Sequence, residues 1–421
     1  MKRRLRVASA VLASYAVVAA CSGGAEQSGA EVTLTLFGDP IEVAGYQRLV
    51  DAFETENPSV DVTLSPVPDQ DDLLVRVTTA FRAGDPPDVF LVNYRSYGGF
   101  AEQGVLAPVQ SFVDDSDVID LADYAPAALE AFRYDGDELT CFPQNVSSLE
   151  VYFNADLFEA RGVPLPRTGW TWDEFLSAAE RLTGEGVYGV GVEPSLIRVA
   201  PFVWSNGGEV VDDQDDPTRL TLDTGPAREA LDFFLDLQTR YGVVPPDREE
   251  QAQSSEERFL AGRLAMFLDS RKAVPTLRTI EDFGWDVAAL PVAPGGEPAT
   301  ILHGDAYCLA ADSPELEAGW RLVEYANSAA GQRILAESGR TVPSRLDVAR
   351  SPAFLDPDQD PASSEVFVEQ IPNVRAVPHP ATWSRTEQQA DEVLAELFYG
   401  RVEREEGVRE LIERTEPLLG P

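Results

Sequence analysis

The chain has 421 residues, with 33 basic and 72 acidic side chains and a formal net charge of −39. Such a charge repels phosphate backbones and argues against nucleic-acid binding. A hydrophobic fraction of 44 % provides for real cores and excludes a disordered acidic chain, and the length fits two or three domain-sized units. Two histidines and three cysteines leave little material for a zinc or haem site, so no metal and no cofactor is expected. Lysine appears only as Lys2 and Lys272, so arginine carries nearly all the positive charge.

Lys2, Arg3, Arg4 and Arg6 precede an apolar run of 14 residues, Val7 to Ala20, interrupted by Ser9 and Ser14. The run is too short to span a bilayer and fits a signal peptide. It closes on Val18-Ala19-Ala20-Cys21, which resembles the lipobox of bacterial lipoproteins. The resemblance implies cleavage before Cys21 and diacylglyceryl transfer to its thiol, a lipid anchor on the extracellular face of the cell membrane. Ordinary secretion, with cleavage after Ala19-Ala20, is the alternative. Residues 1–20 therefore read as a signal peptide and 21–30 as the lipidated cysteine and a tether without an apolar face.

Val32 to Phe37 alternates as a strand and ends at Gly38-Asp39-Pro40. Tyr46, Leu49, Val50 and Phe53 recur at helical spacing up to Asn57-Pro58. Val60, Val62 and Leu64 mark a second strand. Leu73, Leu74, Val77 and Phe81 mark a second helix that stops at Gly84, and Asp88 to Val92 reads as a buried third strand. This βαβαβ order implies a parallel sheet with right-handed crossovers. Open sheets of that kind bind ligands beyond the carboxyl ends of their strands. Topology alone thus makes Asp39, Asn93, Tyr94 and Arg95 ligand candidates, although Gly-Asp-Pro is equally turn chemistry for Asp39.

A second α/β region begins near residue 145. Phe175, Leu176, Ala179 and Leu182 place a helix over 172–182, with Thr171 and Glu174 as its capping box. Further helices are expected over 228–241, 256–262, after Pro314, and over 386–397 and 405–419, with a strand over 306–310. If Cys21 is lipidated, Cys141 and Cys308 remain as an even pair in an oxidising compartment, either bridged or separately buried. No zinc-protease, nucleophile-elbow or P-loop motif occurs. Asp356-Pro-Asp358-Gln-Asp360 opens like a calcium loop but places Pro361 where the glycine belongs.

Six further segments occur in one order: Gly84-Asp85-Pro86-Pro87-Asp88-Val89-Phe90; Phe142-Pro143-Gln144-Asn145 with Val151-Tyr152-Phe153-Asn154; Trp170-Thr171-Trp172-Asp173-Glu174-Phe175; Trp204-Ser205-Asn206-Gly207-Gly208; Gly262-Arg263-Leu264-Ala265-Met266; and Gly339-Arg340-Thr341-Val342-Pro343-Ser344. Together, from about Val32 to the C-terminus, they resemble the ABC-transporter solute-binding proteins of the maltose-binding-protein-like, sugar-binding family. The resemblance implies an α/β, two-lobed periplasmic-binding-protein fold with a hinge of crossing strands and an interlobe cleft. By analogy, lobe one comprises 31–143 plus 308–355 and lobe two 144–307 plus 356–421. Cys141 and Cys308 would then lie on crossing strands at the hinge, which favours a disulfide between them. The implied function is non-enzymatic: a monomeric, lipid-anchored protein captures a sugar by hinge closure and delivers it to an ABC permease.

The resemblance also implies site residues. Trp204 is placed for stacking on a sugar, with Asn206, Gly207 and Gly208 behind it, though a core tryptophan is the alternative. Trp383 occupies the position of a late aromatic of the second lobe. Asn145 suits hydroxyl contacts, Gly304-Asp305 matches the entry to a crossing strand, and Ser270 and Arg271 follow a strand of lobe two. Arg95, Arg271 and Arg340 either face the cleft, favouring an acidic sugar or a glycerophosphodiester, or pair with local acids. A secreted enzyme acting on cell-wall glycans is the rival class and would need two carboxylates roughly 5–10 Å apart across the cleft.

Overall fold

A computed structural model describes residues 29–419, apart from Asp135 and Asp137. The signal peptide, Cys21 and nearly all of the tether lie outside the described residues. Among the described residues no helix is long and apolar enough to cross a membrane.

The first lobe is built on β1 (Ala30–Phe37), β2 (Val60–Val67), β3 (Val89–Asn93) and β4 (Leu106–Ala107). β1 pairs in parallel with both β2 and β3, as the βαβαβ order predicts. Leu34, Leu36, Val89, Phe90 and Val92 are almost wholly buried, because helices cover both faces of a parallel sheet. The connecting helices run Pro40–Glu56 and Gln70–Ala83. The first buries Tyr46, Leu49, Val50 and Phe53, the stripe expected from its spacing. Asp39 caps it by accepting from the amides of Ile41 and Glu42. Gly84 ends the second in the left-handed region, at φ 74°.

After β5 (Phe142–Pro143) the chain enters a second sheet of order β7-β8-β6-β9, formed by β6 (Leu149–Asn154), β7 (Tyr188–Gly191), β8 (Leu264–Ser270) and β9 (Trp285–Ala288). Helices Trp172–Leu182, Leu196–Ser205, Gly225–Thr239, Trp383–Phe398 and Arg404–Leu419 belong to this lobe. The first of these carries the expected Thr171/Glu174 capping box. A short pair of strands, β10 (Thr300–Ile301) and β12 (Val374–Arg375), extends the lobe toward the hinge.

β11 (Asp305–Ala310) returns to the first sheet and pairs antiparallel with β3, β4 and β5. Three stretches run side by side between the lobes. Asn145 bridges to Pro343 and Ser147 to His303. The amide of His303 donates to the Ser147 carbonyl at 2.8 Å, and that of Val146 to the Val342 carbonyl at 2.9 Å. Cys141 and Cys308 are bridged, with Cα atoms 4.6 Å apart. The bridge lies within the first sheet, where Cys308 stands opposite Phe90, a few residues to the lobe-one side of the bridged hinge stretches. It therefore staples two crossing strands together inside one lobe and leaves the hinge backbone unlinked.

Candidate functional site: a polar cavity where the lobes meet

The carboxyl ends of β1 and β3, the crossing stretches and the end of β8 converge on one cavity of about 290 Å³. Lobe one contributes Glu42, Asn93, Arg95 and the loop after β2; the crossing stretches contribute Asn145, Ser147, His303, Asp305, Arg340 and Thr341; lobe two contributes Ser270 and Lys272. Phe37 is the single Phe, Tyr or Trp side chain on its wall.

Asp305 begins β11 and stands opposite Asn93 in the antiparallel pairing with β3. That register lets Asn93 Nδ2 donate to Asp305 Oδ1 at 2.9 Å, while Asn145 Nδ2 donates to Oδ2 at 3.1 Å. Burial pushes the Asp305 carboxyl above the usual carboxylate range, against the pull of those two amides. Among the described residues no cation stands in ion-pair contact with Asp305.

The arginines on the wall are occupied. Arg340 reaches both Asp39 and Glu42, one guanidinium serving two carboxylates from adjacent turns of one helix start. Glu42 is nonetheless pushed up to about 7, because burial outweighs the arginine and Asp305 adds to the rise. Arg95 pairs with Glu387 of the Trp383–Phe398 helix, and this ion pair joins the two lobes directly. Nearby, Ser384 Oγ donates to the Arg95 carbonyl at 3.1 Å and the Val377 amide donates to Tyr94 Oη at 3.2 Å. Gly98, on the helix that begins at Tyr94, presses against His379; a Cβ there would lie 2.0 Å from the His379 carbonyl oxygen.

On the opposite wall Lys272 Nζ lies 3.6 Å from Asp269 Oδ1, which also accepts from the buried Arg198 at 2.9 Å. Arg198 Nη1 sits 3.1 Å from His303 Nε2. A guanidinium only donates, so Nε2 accepts and the His303 proton resides on Nδ1. Burial, reinforced by Arg198, holds His303 well below its usual range and keeps it neutral.

Of the residues expected from the sequence, Asn93, Arg95, Asn145, Ser270, Asp305 and Arg340 come together on the wall. Asp39 stands behind it, as helix cap and partner of Arg340. Gly304 lies at the hinge, its carbonyl accepting from the Tyr94 amide at 3.1 Å. The remaining expected residues lie off the wall. Tyr94 is wholly buried at the lobe contact. Arg271 is wholly buried between the rings of Phe354 and Phe367, and burial lowers it to about 10. Trp204 is 5 % exposed and covered by Arg375, whose guanidinium lies 4.8 Å from the ring centroid. Asn206 donates to the Pro226 carbonyl, Gly207 turns the chain at φ 77°, and Gly208 abuts the Ala227 backbone. Trp383 is wholly buried and donates to Glu387 Oε2 at 3.1 Å. Sequence reasoning missed Glu42, Ser147, Lys272 and His303. Glu42 alone had a local signal, one turn after the cap at Asp39.

A cavity walled by two α/β lobes and floored by their crossing strands defines a two-lobed solute-binding protein. Residues 38–333 match the bacterial extracellular solute-binding proteins, and the chain belongs to that family. It is similar to the lipoprotein in the oleD 5′ region of Streptomyces antibioticus, at 28 % identity over 322 residues, covering 70 % of this chain and 66 % of the relative. It is also similar to the diacetylchitobiose binding protein DasA of Streptomyces coelicolor, at 23 % identity over 365 residues, covering 82 % and 83 %. Among solved structures, the ABC substrate-binding protein Lmo0181 from Listeria monocytogenes, in complex with cycloalternan, superposes with a TM-score of 0.83 at 23 % identity, covering 93 % of this chain and 98 % of that one.

Proposed function

We propose that this chain is the lipid-anchored, substrate-capturing component of an ABC importer and that its cavity holds a sugar. The observation that carries the reading is the convergence of hydrogen-bonding side chains from both lobes and the hinge on one small cavity. Sugar hydroxyls need such paired donors and acceptors. At roughly 30 Å³ per water molecule the cavity has room for about ten waters, which suits a monosaccharide-sized solute. The pairing of Arg95 and Arg340 with Glu387, Asp39 and Glu42 speaks against an acidic sugar or a glycerophosphodiester, since their charge is already neutralised.

In this reading the lobes comprise 31–143 plus 308–355 and 144–307 plus 356–421. Ligand contacts to both lobes favour the closed form, and the closed monomer docks on a permease. Cleavage before Cys21 and acylation of its thiol hold the body at the membrane; the naming of the Streptomyces antibioticus relative as a lipoprotein supports this. The test is a titration of the protein with neutral, amino and acidic sugars and with glycerophosphodiesters, read by tryptophan fluorescence and by small-angle scattering. Saturation by a neutral or amino sugar with a fall in radius of gyration is the expected result. Saturation only by a non-carbohydrate, or binding without compaction, overturns it.

A further inference from the structure

The charges around the cavity do not balance locally, and the imbalance has a direction. On the side formed by lobe one and the hinge, Asp39 and Glu42 share one cation, Arg340, and Asp305 has no ion-pair partner among the described residues. Arg95 is committed to Glu387. Glu42 is 8 % exposed and uses Oε2 for Arg340. Gly38 packs directly over that carboxylate, which fixes it in place: a Cβ at Gly38 would lie 2.4 Å from Glu42 Oε2. Asp305 is held by two neutral amides. On the facing wall the balance is reversed, since Lys272 and Arg198 share Asp269.

Resting on the sugar reading above, we propose that the solute is a sugar bearing a free amino group, oriented with its ammonium toward Glu42 and Asp305 and its hydroxyl oxygens toward Ser270 and Lys272. An ammonium supplies the missing positive charge where two buried carboxylates need it, and a buried charge is tolerated when it is paired and hydrogen-bonded. Burial above all raises both carboxyls, against the pull of Arg340 on each. A neutral hexose supplies only hydroxyl donors, and a uronic acid adds a third carboxylate to the crowded side.

The test is calorimetric titration of the full-length chain in detergent with glucosamine, galactosamine and mannosamine, each beside its parent hexose, and with glucuronate. The expected result is at least tenfold tighter binding of one amino sugar than of its parent. Glu42→Gln should reduce that ratio several-fold, weakening the amino sugar more than its parent hexose. Asp305→Asn should do the same; if its melting curve shows misfolding, Glu42→Gln alone carries the comparison. A parent hexose that binds as tightly as its amino counterpart, or a ratio unmoved by Glu42→Gln, overturns the inference and leaves the sugar reading standing. Failure of every monosaccharide and of maltose and chitobiose, with a folded protein, overturns both.

Discussion

Glu387→Gln tests whether the Arg95–Glu387 pair acts as the latch between the lobes. The two side chains are 16 % and 11 % exposed, so the pair is largely desolvated while the lobes are together. When the lobes separate, both charges return to water. Breaking a buried pair by removing one partner costs about 3–5 kcal/mol, against about 0–1 kcal/mol for an exposed pair. Glutamine keeps an acceptor for Arg95 or for Trp383 Nε1, so about 2 kcal/mol is the expected loss, borne by the closed form alone. That shifts the closing equilibrium about 30-fold. Where the ligand-free protein is mainly open, apparent affinity falls by the same factor. Calorimetric affinity and the radius of gyration at saturating ligand measure the two sides of this. Arg95→Gln should match it, and the double variant should lose little more than either single one. Affinity within twofold of wild type, together with a substantial loss of unfolding stability, would refute the reasoning, since the pair would then support one lobe and not the closure.

Gly98→Ala forces a methyl against the His379 carbonyl; weaker ligand binding with a nearly unchanged ligand-free melting temperature is expected, and a large drop in that melting temperature counts against an interlobe role. Replacing both Cys141 and Cys308 with serine opens a loop spanning 167 positions and should lower stability by about 2–5 kcal/mol in chemical denaturation, with affinity preserved in the surviving folded fraction because the hinge backbone is not part of the bridge. Asp391, beside Glu387, is pushed up to about 8, chiefly by burial, while its Oδ1 accepts from the Leu196 amide at 2.6 Å. The folded state therefore holds a proton that the unfolded state releases above about pH 4, and stability falls as pH rises from there through 8. Asp391→Asn should remove about 3–4 kcal/mol of that fall between pH 5 and pH 8, and an unchanged slope in denaturation at the two pH values would be the contrary result. Trp204→Ala empties a buried position beneath Arg375 and should cost about 3–5 kcal/mol of stability; loss of affinity without loss of stability would return the ring to the ligand.

Much of the frame of both lobes was legible because it is local. The strand β1, the stripe Tyr46-Leu49-Val50-Phe53 and the Thr171/Glu174 box are short-range patterns, and each determines its own element. The strand-end rule reached Asn93 and Arg95 without any knowledge of a partner. What the sequence could not show is which charge meets which. Arg340 and Glu42 are 298 positions apart, and Arg95 and Glu387 are 292 apart. With 72 acidic residues available, no local signal singles those partners out. Trp204 shows the opposite effect: glycines after a tryptophan suggested room for a ligand, whereas Gly208 makes room for the Ala227 backbone of the neighbouring helix.

The scarcity of lysine has a practical side. Within the described residues Lys272 is the sole lysine, it lies on the cavity wall, and its side chain is 55 % exposed. Amine-directed reagents, which decorate most proteins at many places, have a single side-chain target in this body. A dye or a photo-crosslinker carried by an activated ester would report from beside the solute with no engineered residue, and occupancy of the cavity would register as protection of one amine. The same scarcity makes amine-to-amine fixation blind to nearly all of the surface, so that capture of a membrane partner calls for carboxylate- or arginine-directed chemistry.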